Sequence, residues 1–278
     1  MREYKYCNKE SPPMNENYLE NYLLDTQLIK IVRAAGALAL KEQQNLKVML
    51  KADGSDVTNG DLAVSHYLTV ELLKLYPNYE IFSEEDSEKI PVEDQVIVID
   101  PIDGTKSYKN KEQTWSILIA FMSGHSPKVG VVYQPTLNRL YWAKPGLGAY
   151  LLEGDNEPVK LSAKKSLPKK GIYSLTNFGE LEFLQSLGIS ADRMYSASLK
   201  IMEVASGRYD LYPNFQKGCS LWDLLAPELI LTEAGGSMIY ENKFLFNYTS
   251  PRVSLKFLAA GPNINPNEIS NLFGPIFP

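Results

Sequence analysis

The stretch from Val96 to Thr105, VIVIDPIDGT, constrains what this chain can fold into more than any other. Val96, Ile97, Val98 and Ile99 are all β-branched, with no polar residue alternating between them. That is the pattern of a short strand buried on both faces. At its end Asp100 is followed by Pro101, which removes a backbone donor and turns the chain away. Asp103 comes three residues later, and Gly104 permits a tight or left-handed turn before Thr105. The string can bring two carboxylates and the Ile102 carbonyl to one point at a strand end. Hard divalent cations favour such an oxygen-only environment, whereas zinc usually takes His or Cys.

The flanking sequence supplies the covering layers. Leu24, Leu28, Ile31, Val32, Ala35, Leu38 and Ala39 recur at helical spacing and predict a long amphipathic helix over about 17–44. A second helix is expected from Asn59 or Gly60 to just before Pro77. Strand-like segments follow at 115–122, 128–133, 139–143 and 149–152, separated by turn residues. The charged stretch 153–170, with Gly154, Pro158 and Pro168, reads as the boundary between an N-terminal half, 1–155, and a C-terminal half, 156–278. Beyond it, strands at 172–175, 209–212 and 256–260 alternate with helices at 180–187, 199–205, 222–234 and 266–272. Helices, then consecutive strands, then alternation indicate an α+β protein of layered sheets and helices.

Other acids invite two readings each. Glu84 stands first after the strand-like Glu80-Ile81-Phe82 and could point at the same centre, while Glu85, Asp86 and Glu88 read as a solvated loop. Asp61 and Asp223 each open a helical pattern, where a carboxylate caps or favours the positive helix end. Only His66 and His125 are present, so a site needing three histidines is impossible. His66 reads as a packed or surface residue and Cys219 as a small buried thiol. Cys7 and Cys219 are too few for a disulfide scaffold and suggest a reducing compartment. A net charge of −5 is a poor match for nucleic acid. Residues 1–14 lack the apolar core of a signal peptide, and no apolar run reaches the roughly 20 residues of a membrane span. The expectation is a cytoplasmic protein with no transmembrane segment.

Taken together, these segments resemble the Mg²⁺-dependent, Li⁺-sensitive phosphomonoesterases of the inositol monophosphatase superfamily. The motifs stand here as Asp53-Gly-Ser-Asp-Val-Thr58 with Asp61, Glu84-Glu85, Asp100-Pro-Ile-Asp-Gly-Thr105, and Trp222-Asp223 with Glu233-Ala-Gly-Gly236. Within the superfamily, Lys106 after Asp-Gly-Thr, Ser196-Ala-Ser-Leu-Lys200 and Leu211-Tyr-Pro-Asn-Phe215 look like 3'(2'),5'-bisphosphate nucleotidases of the CysQ type. Ser196 departs from that group's Gly and Asn214 from its Arg. Gln216 or Lys217 lies near where an inositol phosphatase places a Glu.

The resemblance implies a layered α/β/α/β/α sandwich, the sugar-phosphatase fold, in which activated water removes the 3'-phosphate of 3'-phosphoadenosine 5'-phosphate. Alternatives are the same chemistry on inositol monophosphate or another sugar phosphate, and a non-catalytic divalent-cation module. Carried over residue by residue, Glu84, Asp100 and the Ile102 carbonyl would hold one Mg²⁺, and Asp100, Asp103 and Asp223 a second. A third ion would share Glu84. Asp61 and Thr105 would form a hydrogen-bonded pair that orients and deprotonates the attacking water. Substrate contacts would come from Asp223, Ser198, Lys200 and the backbone amides of Gly104 and Thr105, with Lys200 meeting the phosphate that is not cleaved. The implied partner is a small phosphorylated molecule, and the implied assembly a monomer or homodimer.

Overall fold

The computed structural model describes residues 24–51, 54–85, 94–124, 126–163, 168–215, 219–240, 252–253 and 256–262. Asp53, Asp86, Glu88, His125, Gln216, Lys217 and the helix expected at 266–272 lie outside them. Two sheets and three helical layers alternate. The first sheet has seven strands in sequence order: β3 (Glu80–Ser83), β4 (Gln95–Asp103), β5 (Ser116–Ser123), β6 (Ser126–Gln134), β7 (Arg139–Lys144), β8 (Gly148–Glu153) and β9 (Val159–Lys160). β3 and β4 are parallel and the remaining neighbours antiparallel.

Two helices, α1 (Thr26–Glu42) and α2 (Asn59–Leu75), cover one face, and a short hairpin of β1 (Val48–Leu50) and β2 (Asp56–Thr58) joins them. Leu28, Ile29, Val32, Val64 and Leu68 pack there against Ile97, Ile99, Ile117 and Ile119. The alternate residues Val96, Val98, Leu118 and Ala120 face the other way, onto α5 (Ala197–Ala205) and α6 (Leu221–Glu233). β4 is therefore buried on both faces, as its β-branched run requires. α1 starts later than the spacing alone predicts, because Asp25 caps it by accepting the Gln27 N–H at 2.8 Å.

The second sheet runs β11 (Ser190–Met194), β10 (Lys170–Ser174), β12 (Leu211–Asn214), β16 (Phe257–Ala260), β14 (Ser237–Tyr240). Tyr212, Tyr240 and Phe257 face α5 and α6, and Leu211 and Leu258 face Leu184 of α4 (Phe178–Ser186). A small pair, β13 (Cys219–Ser220) with β15 (Arg252–Val253), and the single turn α3 (Thr105–Lys109) complete the elements used below. The layers follow the order α/β/α/β/α. The charged stretch near residue 160 separates the two sheets, but one hydrophobic core runs between them through α5 and α6. α6 continues through Pro227, which is buried within it.

α3 anchors the first layer. Tyr108 is fully buried and stands edge to face with Trp115, ring centroids 5.0 Å apart. Its hydroxyl donates to the Ala39 carbonyl of α1 at 2.6 Å. A Cβ at Gly60 of α2 would overlap this ring, so the glycine sets how closely α2 approaches α3. Gly60→Ala is expected to lower unfolding free energy by about 1–3 kcal/mol through overpacking, read as a lower urea midpoint. An unchanged midpoint would mean that Tyr108 moves freely and does not set the spacing.

Candidate active site

Strand register puts the acids at one edge of the sheet. Ser83 pairs with Ile99 in the parallel β3–β4 ladder, and the Glu84 N–H continues it by donating to the Ile99 carbonyl at 3.1 Å. Glu84 therefore emerges beside Asp100. On the other side β4 pairs Asp100 with Leu118 and Asp103 with Ser116, with the register broken between them at Pro101. The Asp100 carboxylate folds back to accept the Ile102 N–H at 3.0 Å. Asp223 arrives from the first turn of α6, where it accepts the Ser220 N–H at 2.5 Å in a capping box. Asp100, Asp103 and Asp223 each offer a carboxylate oxygen within 4.8 Å of the others.

Asp103 is held from the far half of the chain. Its Oδ2 accepts from Ser196 Oγ at 2.5 Å, from the Ser198 N–H at 3.1 Å and from Ser198 Oγ, all at the N-terminus of α5. Ser198 is fully buried and also bonds Ser116 Oγ at 2.7 Å. In this structure the Ser198 hydroxyl and amide both donate to Asp103, and the adjacent pocket is lined by other residues.

Asp61 and Thr105 each hold other partners here. Asp61 is buried as the N3 residue of α2, and its Oδ2 accepts from the Thr58 N–H at 2.8 Å and Thr58 Oγ1 at 2.5 Å. Thr105 Oγ1 donates instead to the Ile102 carbonyl at 3.3 Å. Among the described residues no hydrogen bond joins Asp61 to Thr105: Asp61 Oδ2 accepts from Thr58, and Thr105 Oγ1 donates to the Ile102 carbonyl. Asp61 remains close enough to Glu84 and Lys51 for their charges to act on it, and to Asp100 for its own charge to act there.

Lys51 enters the acidic edge from beyond β1, its Nζ 2.9 Å from Glu84 Oε1 and 2.8 Å from Glu85 Oε1. It neutralises the rim, and Glu85, read from sequence as a solvated loop residue, is held by it. The inner acids have no such cation. Burial and the neighbouring carboxylates push Asp100 and Asp223 well above the usual carboxylate range. Burial raises Asp61 to about 6 and Glu85 to about 7. Three convergent carboxylates with a carbonyl alongside form an all-oxygen donor set, which fits a hard cation such as Mg²⁺.

A pocket of about 320 Å³ opens beside this cluster, reaching from Gly104, Thr105 and Lys106 to Tyr195, Lys200 and Tyr212, with Asn214 and Cys219 on its wall. Gly104 takes φ +88° at the N-terminus of α3, so a helix does begin there. Lys200 is only 1% exposed, which removes the reading of a solvated helix charge. Its Nζ donates to Ser174 Oγ at 3.0 Å, the Met194 carbonyl at 3.2 Å and the Tyr195 carbonyl at 3.0 Å. Cys219 accepts from Asn214 Nδ2 at 3.0 Å, and burial drives its thiol upward, so it is no nucleophile. His66 is exposed on α2. Sequence reasoning missed Glu180, fully buried, which accepts the Ser174 and Phe215 N–H groups at 2.7 and 3.0 Å behind the pocket. Its one visible signal is an acid in the first turn of a helix.

Comparison with known proteins identifies these features with one family. The model of the inositol monophosphatase family matches residues 21–259. A 3'(2'),5'-bisphosphate nucleotidase CysQ from Aggregatibacter actinomycetemcomitans is 31% identical over 238 residues, covering 78% of this chain and 84% of that one. An inositol-1-monophosphatase from Rhizobium meliloti is 30% identical over 228 residues, covering 77% and 84%. Among solved structures, an IMPase from Thermotoga maritima superposes with a TM-score of 0.76 at 23% identity, over 90% of this chain and 96% of that one. No helix of the described residues is long and apolar enough to cross a membrane.

The raised carboxylates fix the sign of a pH effect. The folded chain keeps protons on Asp61, Glu85, Asp100 and Asp223 that the unfolded chain releases near pH 4. Their contribution to stability is therefore complete below about pH 4 and is lost as pH rises through 6 to 7. In EDTA, thermal unfolding should show this loss. Mg²⁺ should restore stability at pH 8, by roughly 3 kcal/mol at a hundredfold excess over Kd, and by less at pH 5. An Mg²⁺ increment equal at both pH values would contradict a cation held by these acids.

Proposed function

The chain belongs to the inositol monophosphatase family of phosphatases, and from that premise we propose that it hydrolyses the 3'-phosphate of 3'-phosphoadenosine 5'-phosphate, releasing inorganic phosphate and adenosine 5'-phosphate. The observation that carries this reading is the convergence of Asp100, Asp103 and Asp223 beside a pocket walled by Tyr195, Tyr212 and lysines. The similarity to a CysQ nucleotidase supports the nucleotide substrate.

In this reading Glu84, Asp100, the Ile102 carbonyl, Asp103 and Asp223 hold two or three Mg²⁺ ions. Bound Mg²⁺ supplies charge neutralisation for the phosphate dianion and acidifies water. The chain itself does the rest. The first-turn amides of α3, from Thr105 onward, lack intrahelical acceptors and are placed to bind phosphate oxygens. Thr105 is the immediate acceptor of the attacking water's proton, and Asp61, ionised above about pH 6, is the carboxylate behind it. Their pairing requires the Thr105 hydroxyl to rotate from the Ile102 carbonyl toward Asp61. Asp223, at the mouth of the cluster, orients the substrate from α6.

One observation favours a second reading, inositol monophosphate or another sugar monophosphate. Lys200 has no unspent donor for a second phosphate, and Asn214 stands where nucleotidases carry Arg. The similarity to an inositol-1-monophosphatase points the same way.

Phosphate release from the two substrates with Mg²⁺ separates the readings. The bisphosphate is expected to show the higher kcat/KM, and a reversed order would move the assignment to inositol phosphate. Thr105→Ala should lower kcat about 100-fold or more, the scale of losing general-base help, while calorimetry shows Mg²⁺ still binding. If turnover survives that change, neither Thr105 nor its pairing with Asp61 takes part, as a mere cation-binding module would have it. In the active enzyme, kcat should rise as pH passes through about 6, where Asp61 ionises, and Asp61→Asn should flatten that rise.

A further inference from the structure

Resting on the bisphosphate reading, we infer that Lys106, and not Lys200, binds the second anionic group of the substrate. A lysine ammonium has three N–H donors and no acceptor. Lys200 spends all three on Ser174 Oγ and the carbonyls of Met194 and Tyr195, and the Tyr212 ring lies 4.6 Å away. To reach a ligand it would have to abandon a partner in a site where it is almost wholly buried, at a cost comparable to what the new bond returns.

Lys106 is in the opposite condition. It follows Thr105 in the first turn of α3, is exposed, and lines the same pocket from its mouth. Its Nζ lies 5.2 Å from the centroid of the Tyr195 ring on the facing wall. Among the described residues no carboxylate pairs with it, whereas Lys51 is taken by Glu84 and Glu85 and Lys109 by Asp56. A cation–π contact at an exposed site is weak. A phosphate arriving between Lys106 and Tyr195 would replace it with a charge-assisted hydrogen bond, which is the stronger interaction. The backbone adds a geometric reason. Lys106 directly follows Thr105, whose hydroxyl is placed at the attacking water in the proposed mechanism, so its side chain leaves the chain next to the reacting centre.

The test uses the full chain with Mg²⁺ and measures kcat/KM for 3'-phosphoadenosine 5'-phosphate and for adenosine 3'-phosphate, which lacks the second phosphate. The unaltered enzyme should prefer the bisphosphate. Lys106→Gln should cut that preference by about tenfold to a hundredfold, mostly through KM, and Lys106→Arg should retain most of it. Lys200→Met is expected to lower the thermal midpoint without erasing the preference. Three results overturn the inference. They are a Lys106→Gln enzyme that keeps the preference, one that is lowered equally in kcat on both substrates, which makes Lys106 a support for Thr105, and a folded Lys200→Met enzyme that loses the preference. A native enzyme with no preference at all would defeat the bisphosphate reading itself, and the role of Lys106 with it.

Discussion

The Asp103 carboxylate at the N-terminus of α5 is the contact on which the rest of the site depends. One oxygen of Asp103 collects two serine hydroxyls and a backbone amide from the other side of the molecule. The positive helix end and three donors together hold this oxygen in place. The same junction explains Gly104. A Cβ there would lie 3.0 Å from the Thr114 carbonyl and 3.3 Å from Ser196 Cβ, on a backbone at φ +88°. The strand end, the start of α3 and the start of α5 are thus packed against each other with no room for a side chain. Because Oδ2 is fully committed, Asp103 can turn only its other oxygen toward Asp100 and Asp223. The acidic cluster takes its shape from a helix that belongs to the second sheet.

That arrangement sets a problem of charge which the fold leaves open at its centre. Lys51 neutralises the outer pair Glu84 and Glu85, the Thr58 capping interactions satisfy Asp61, and Ser220 satisfies one oxygen of Asp223. Among the described residues no cation pairs with Asp100, which is 1% exposed and surrounded by the other acids. A structure selected for stability alone would replace it with an apolar residue. A buried, mutually repelling group of this kind is one that a bound cation would stabilise.

Much of this was legible in the sequence, and the parts that were not share physical causes. The β-branched run before Asp100 announced a doubly covered strand because complete burial leaves no polar alternation. β11 and β14 were missed because they are the two edges of their sheet, paired on one side only. Ser-Ala-Asp-Arg-Met can form such an edge without any apolar run. The acids were found because charge is rare at strand ends and helix starts unless it caps or binds something. The capping explanation holds for Asp61 and Asp223, and their capping boxes also aim them toward the acidic cluster. What sequence spacing could not supply was the competition for hydrogen bonds. Asp61 Oδ2 accepts from Thr58 while Thr105 turns to the Ile102 carbonyl, and Ser198 donates to Asp103.

Lys200 shows why that competition decides function. Its position in a motif suggested a contact with phosphate, and its place on the pocket floor agrees with that, yet its donors are occupied. Behind it Glu180 ties together the ends of β10 and β12 by accepting the Ser174 and Phe215 amides, and Ser174 in turn receives the Lys200 ammonium. A buried cation and a buried anion thus share one serine, so neither is isolated, and together they fix the pocket's rear wall. Burial lowers Lys200 to about 8, and Glu180 opposes that fall. Loss of either partner would leave an uncompensated charge inside the protein, a larger penalty than the pair's own attraction is worth. A lysine with those partners fixes the rear wall of the pocket, while Lys106 at its front has no carboxylate partner among the described residues.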